Sequence, residues 1–203
     1  MDRSRTNVLR KACMVLVACA LALVTTTGLA ACGGKSDEDQ VKDYVTSYLD
    51  TFKNLDDSVA DSVEDQLASD SDISQYVQDG TIDVNEFLDH TLGRFDYKID
   101  SVSVDGDQAE VLATVSNPDV SAALSAASQD VYSMDADELE SIYVNEGESG
   151  IVKKMFELYY EEVDDADVEE LGQITIKLQK GDDGWEFASD DDSETQISNL
   201  VFG

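Results

Sequence analysis

Histidine is almost missing from this chain: His90 stands alone, with no second imidazole to share a metal or a proton. Basic residues are also scarce, 13 Lys and Arg against 45 Asp and Glu in 203 residues, a formal net charge of −32. Nucleic-acid binding depends on Lys and Arg neutralising phosphates, so nucleic acid is excluded as a partner. A single proline leaves no Pro-rich linker, and neither an internal repeat nor a coiled-coil seam is present. No Gly-x-Ser-x-Gly elbow exists to present a nucleophilic serine to His90. Gly-rich phosphate loops are absent too, since Gly33-Gly34-Lys35 precedes no strand. The longest apolar run, Ala12 to Val24, falls short of the roughly 20 residues a spanning helix needs.

What that run does have is a setting. Arg3, Arg5, Arg10 and Lys11 precede it against one acid, Asp2, and small residues follow it up to Leu29-Ala30-Ala31-Cys32. Basic, apolar and small-residue regions in that order are the layout of a secretory signal peptide, which predicts a leader over residues 1–31. Ser4 separates Arg3 from Arg5, so the paired arginines of a twin-arginine signal are lacking. Leu29-Ala30-Ala31-Cys32 resembles the bacterial lipobox. The resemblance implies a diacylglyceryl group on Cys32 and cleavage just before it; the alternative is ordinary cleavage after Ala31 with Cys32 a free thiol. Two acyl chains anchor stably where one is marginal, each buried CH₂ contributing about 0.8 kcal/mol. The implied location is the extracytoplasmic face of the cell membrane.

That processing would also dispose of the cysteines. Cys13 and Cys19 leave with the leader and Cys32 carries lipid, so no disulfide and no cysteine metal ligand remain. Losing four basic residues and one acid leaves 9 Lys and Arg against 44 Asp and Glu, a formal charge of −35. Such a chain is repelled by an anionic membrane surface. The acid excess admits three readings: a solvated, aggregation-resistant surface, adaptation to high salt, or recruitment of cations or a basic partner.

The 172 residues after the leader suit one domain. Residues 32–39 read as the lipidated Cys and a short flexible tether, and 40–203 as a single α+β domain. Val41, Tyr44, Val45, Tyr48, Leu49, Phe52 and Leu55 recur at helical spacing, with Ser36 or Asp37 as cap. A second helix is predicted from Asp57 and a third from Asp83 to Leu92, stopped at Gly93. The period then changes to two. Phe95, Tyr97 and Ile99 alternate, Val102 and Val104 continue on the opposite parity, and a bulge is predicted near Asp100-Ser101. Asp105-Gly106 signals a hairpin into Ala109, Val111, Ala113 and Val115. Asn117-Pro118-Asp119 reads as a helix start, Asn capping and Pro at the first helical position. Asp135 with Glu138 starts another helix, and a longer one carries Ile151 to Val163. Asp164 to Glu170 reads as a loop or a fraying helix end. A second hairpin joins Ile174, Ile176 and Leu178 to Trp185 and Phe187 through Gly181–Gly184.

The expected fold is one antiparallel sheet built from two hairpins and packed with several helices. The hairpin Tyr97–Val115 with its Asp105-Gly106-Asp107 turn, Asn117-Pro118-Asp119 after it, and Asp183-Gly184-Trp185 carry a resemblance to cystatin-like and NTF2-like folds of small Gram-positive lipoproteins of unknown function. In those folds an apolar tail follows, here Ile197, Leu200, Val201 and Phe202, and the helices between the hairpins depart from the simplest form. The resemblance implies no catalytic residue.

Three sites can be weighed. Asp79, Thr81, Asp83 and Glu86 follow the order of the second half of an EF-hand loop, but its leading ligand positions fall on Gln75 and Val77. A Gly80 turn followed by Asp83 capping a helix accounts for the same residues. His90 falls off the apolar stripe of its helix and is expected to be exposed. A carboxylate pair at glycosidase spacing is inevitable among 44 acids and so carries no signal. No catalytic residue and no cofactor is expected. The expected activity is therefore binding of an unknown extracytoplasmic ligand or protein by a membrane-tethered, non-enzymatic domain, with an extracytoplasmic hydrolase using a carboxylate pair as the alternative.

Overall fold

The computed structural model describes residues 35–71 and 73–202; the leader, Cys32 and Gly33-Gly34 lie outside them. Helix α1 (Asp37–Asn54) begins where Ser36 accepts the Asp39 N–H at 3.2 Å, with Asp37, Glu38 and Asp39 favouring the positive end of the helix dipole. It thus takes up three residues assigned above to the tether. Its buried stripe is the one the spacing predicts, Val41 to Phe52, and Leu55 closes it in a left-handed conformation with φ 48°. Then come α2 (Asp57–Ser69), the five-residue α3 (Ser74–Gln78), which has too few residues to show a period, and α4 (Val84–Leu92).

Strands β1 (Asp96–Asp105), β2 (Gln108–Pro118), β3 (Val168–Gly181) and β4 (Gly184–Phe187) form one antiparallel sheet in the order β1-β2-β3-β4. Between β2 and β3 run α5 (Val120–Ser133) and α6 (Ala136–Asp165), and α7 (Ser193–Phe202) ends the fold. This is the α+β architecture expected, two hairpins in one sheet. The change of parity in β1 is a bulge: Ile99 faces Ala113, Ser101 faces Leu112, and Asp100 is the extra residue. Gly106 turns the first hairpin at φ 62°. The odd residues of β2 from Ala109 to Val115 and the even residues of β3 from Ile174 to Leu178 are buried, making one dry face. Helices α1 and α7 lie closest to the sheet, whereas α2 to α6 pack mainly on one another. Phe187 from β4 is wedged edge-on between Tyr44 and Tyr48 of α1, with ring centroids 5.4 and 4.9 Å away. Such aromatic pairs add about 0.5–1.5 kcal/mol beyond area burial.

Two expectations need correction, and two others hold. Asn117-Pro118 is not the start of a helix: both residues pair in β2, against Glu169 and Val168, and Asp119 is the cap, accepting the Ala122 N–H at 2.8 Å. Asn117 is fully buried because its amide donates to the Thr91 carbonyl at 3.0 Å. The stretch Asp164 to Glu170 is the helix end and a short connection only as far as Asp167; Val168, Glu169 and Glu170 are strand, held by pairing with β2. The two helices read after Asp135 are both present, meeting at Gly147, whose φ of 70° and ψ of −150° interrupt α6. Gly93 stops α4 without a left-handed turn, at φ −60°.

Candidate functional site

His90 also departs from its expected exposure. Instead of projecting into water, its ring stacks on Tyr160 at 4.2 Å between centroids, nearly parallel, and Nδ1 lies 2.8 Å from Asp164 Oδ1. One turn further, Arg94 donates to the Ala166 carbonyl at 2.8 Å and to the Val163 carbonyl. The end of α4 therefore clasps the end of α6, giving a donor to the Ala166 carbonyl and a second one to the Val163 carbonyl, which also accepts the Ala166 N–H. Beneath the clasp the Thr91 and Tyr159 hydroxyls are 3.0 Å apart in the core. The His–Asp contact looks like half of a catalytic triad, but its surroundings give it a fastening role: the ring is stacked and its carboxylate partner sits on the element it fastens. Arg94 had no sequence signal, because its acceptors are backbone atoms on a distant helix.

The residues of the calcium-like run are shared between two local motifs. Asp79 Oδ1 accepts the Thr81 N–H at 3.0 Å and the Thr81 hydroxyl at 2.6 Å, and its other oxygen takes the Ser149 hydroxyl at 3.3 Å. These donors hold the Asp79 carboxyl below the usual range, the Thr81 hydroxyl most of all. Asp83 Oδ1 accepts the N–H groups of Asn85 and Glu86 and so caps α4. Asp79 and Thr81 are brought together, while Asp83 and Glu86 belong to the next helix start. Among the described residues no three His, Cys, Asp or Glu side chains converge to hold a metal ion.

On the wet face of the sheet the bulge aims Asp100 across three strands. Lys98 reaches Oδ1 at 2.7 Å, and Thr114 and Gln173 reach Oδ2 at 2.5 and 3.1 Å. Donation by Lys98, then by Thr114 and Gln173, holds the Asp100 carboxyl at about 2. Every acceptor position that matters is filled from within, so this carboxylate is a brace. Tyr97 is braced from the other side, its hydroxyl donating to Asp50 at 2.7 Å; burial, then that carboxylate, pushes the phenol up.

Open surface is found instead at the hairpin tips. A depression of about 690 Å³ lies between the two turns, lined by Asp107, Lys180, Asp182, Asp183, Trp185 and Glu186. Trp185, on the inner face as its alternation predicts, is buried, and Lys180 lies 5.5 Å over its ring. The Lys180 ammonium also meets Asp37 at 2.7 Å, and its backbone N–H donates to the Asp107 carbonyl at 2.9 Å. Both turns and the start of α1 are thereby joined. A smaller hollow of about 350 Å³ lies alongside on the wet face, between Glu110, Lys177 and Asp190. Neither hollow contains a nucleophile set against a base, so what the arrangement offers chemically is an open, acid-rimmed surface with two lysines, Lys180 and Lys177.

No known family's sequence profile matches the chain, and no curated protein does. Among solved structures it is similar to the crystal structure of a "putative lipoprotein (ycdA)" from Bacillus subtilis subsp. subtilis str. 168. The identity is 20%, covering 73% of this chain and 46% of that one, with a TM-score of 0.45. The chain thus spans less than half the length of that protein.

Proposed function

We propose that this protein is a lipid-anchored extracytoplasmic domain that binds a ligand or a protein without chemical turnover. The observation that carries the reading is the order of the first 32 residues: basic start, short apolar run, then Leu29-Ala30-Ala31-Cys32. Folded structure resumes almost at once, with Lys35 pairing with Asp43 and Ser36 capping α1. Among the described residues no helix is long and apolar enough to cross a membrane, so the reading assigns attachment to the acyl chains on Cys32. The fold belongs, on this proposal, with the cystatin-like and NTF2-like domains. Binding is favoured over hydrolysis because two carboxylates with several donors around them serve the fold: Asp100 braces three strands and Asp83 caps a helix.

The test is Cys32→Ser in the producing cell. The expected result is loss of membrane retention or arrest as the unprocessed precursor, with the wild-type chain incorporating labelled palmitate. A Cys32→Ser protein that is cleaved normally and still sediments with membranes would overturn the anchor.

A further inference from the structure

Lys35 is already part of the fold. Its carbonyl accepts from the Gln40 amide at 3.2 Å and its ammonium pairs with Asp43. Only Gly33 and Gly34 then stand between Cys32 and the folded domain, and three peptide units reach at most about 11 Å. Whatever surrounds Lys35 is therefore held close to the lipid.

What surrounds it is the end of the sheet that carries both turns. Asp37 is tied to Lys180 on β3, and Lys180 to Asp107 in the first turn. Helix α1 leads away from this end for 18 residues, about 27 Å, and its last turn sits at the other one, where Lys53 meets Asp96 at 2.7 Å and Phe52 packs on Phe95. The chain enters and leaves α2–α6 only there, after Asn54, before Asp96, after Pro118 and before Val168. We infer that the domain stands on the membrane by the end formed by its two hairpin tips and the start of α1, with α2–α6 presented away from the lipid. The inference rests on the lipid anchor proposed above and adds its orientation.

Charge sets how closely this end can approach. The tips carry Asp105, Asp107, Asp182 and Asp183, and the start of α1 adds Glu38 and Asp39. An anionic bilayer repels such an end over roughly one Debye length, near 10 Å at 0.1 M salt. The tether is of the same length, so the domain stands at the limit of its reach on an anionic surface and settles closer when salt screens the repulsion.

The mature, lipidated chain has no cysteine besides Cys32, so a single introduced thiol can be labelled cleanly. Asp183→Cys lies at the tips and Val168→Cys at the far end, both exposed and separated along β3 by roughly 40 Å. Each lipoprotein is labelled and bound to phosphatidylcholine vesicles containing a headgroup-labelled acceptor lipid. Flotation with the vesicles comes first, because failure to float overturns the anchor and the orientation with it. For floating protein, the label at 183 should be quenched several-fold more strongly than the label at 168. Replacing part of the phosphatidylcholine by phosphatidylglycerol at low salt should reduce the quenching at 183, and added salt should restore it. Equal quenching at both sites, or stronger quenching at 168, overturns the orientation while leaving the anchor standing. Asp182→Cys against Asp167→Cys repeats the comparison in case either first variant folds poorly.

Discussion

Gln196 closes the open edge of β3 at Thr175: its Oε1 accepts the Thr175 N–H at 2.8 Å and its Nε2 donates to the Thr175 carbonyl at 3.2 Å. β4 pairs only with Leu178 to Gly181, so β3 runs on beyond it as an edge whose backbone groups at Thr175 and Lys177 take partners other than a strand. Asp191 treats Lys177 likewise, accepting its N–H at 2.7 Å. One amide side chain thus stands in for one residue of a missing strand.

Gln196→Ala should therefore cost about 1–2 kcal/mol, two backbone groups losing their partners near the core. Gln196→Glu keeps the acceptor, loses the donor and sets a carboxylate beside Asp192, so it should be no better tolerated. Urea unfolding followed by Trp185 fluorescence measures both, and a fall in midpoint at constant slope is the expected form. The freed edge should also raise the dimer fraction seen by light scattering.

Asp100 makes the sheet sensitive to acid. Its carboxyl is held at about 2 by Lys98 first, then Thr114 and Gln173, against an ordinary value near 3.9 in the unfolded chain. A depressed carboxyl contributes stability that is complete above the unfolded value and is lost as pH falls through the folded one. Between about pH 4 and pH 2 the wild type should lose stability more steeply than Asp100→Asn. Thr114→Val, which removes the 2.5 Å donor, should narrow that window from its lower end. Midpoints of urea unfolding at stepped pH provide the comparison, and identical pH profiles for wild type and Asp100→Asn would refute the brace.

These braces also mark where sequence reading stops. The bulge at Asp100 was legible because the parity of apolar residues flips between Ile99 and Val102. Both hairpins were legible from Asp105-Gly106 and Gly181–Gly184, whose turn chemistry is local. The donors that Asp100 gathers were not, since Gln173 lies 73 residues away. Asn117 misled for the same reason: Asn-Pro-Asp has the composition of a helix start, and only the Thr91 carbonyl, 26 residues back, shows why an asparagine sits inside the sheet. His90 looked exposed from its own helix, and Tyr160 and Asp164 come from another. Periodicity reports which face of an element is dry, and says nothing about what reaches over the wet one.

The clasp on α6 yields a second stability prediction. Arg94→Ala leaves the Ala166 carbonyl without this donor and the Val163 carbonyl with only the Ala166 N–H, and should destabilise by about 1–3 kcal/mol. Arg94→Lys cannot fork between two carbonyls and should recover only part of the loss. His90→Ala, which removes a half-exposed contact to Asp164 and the Tyr160 stack, should cost less than Arg94→Ala. Thermal unfolding of the three variants orders them.

Calcium gives the sharpest comparison between the two readings of Asp79 to Glu86. Asp83 caps α4 through two N–H bonds, so Asp83→Ala should cost about 1 kcal/mol whether or not calcium is present. Titration with millimolar Ca²⁺ should release no heat, and Glu86→Gln should leave stability unchanged. Heat on titration that Glu86→Gln abolishes would restore the metal reading.

Gly147 and Gly106 have nearly the same φ but should respond differently to substitution. Gly106 forms a two-residue turn with Asp107 between the paired Asp105 and Gln108; Asp107 keeps a negative φ, so this is the II′ pattern, whose first position favours glycine. Gly147 combines φ 70° with ψ −150°, a region that asparagine does not tolerate. A Cβ at Gly147 would meet nothing within 4 Å, so any cost there is backbone strain and not a clash. Gly106→Asn should cost about 1 kcal/mol, and Gly147→Asn and Gly147→Ala about 1–3 kcal/mol each. The alternative open to the Gly147 variants is to straighten α6, which would carry Tyr143 and Val144 away from their present positions. Hydrogen exchange distinguishes the two responses, because strain speeds exchange on both sides of residue 147 and straightening slows it across the former break.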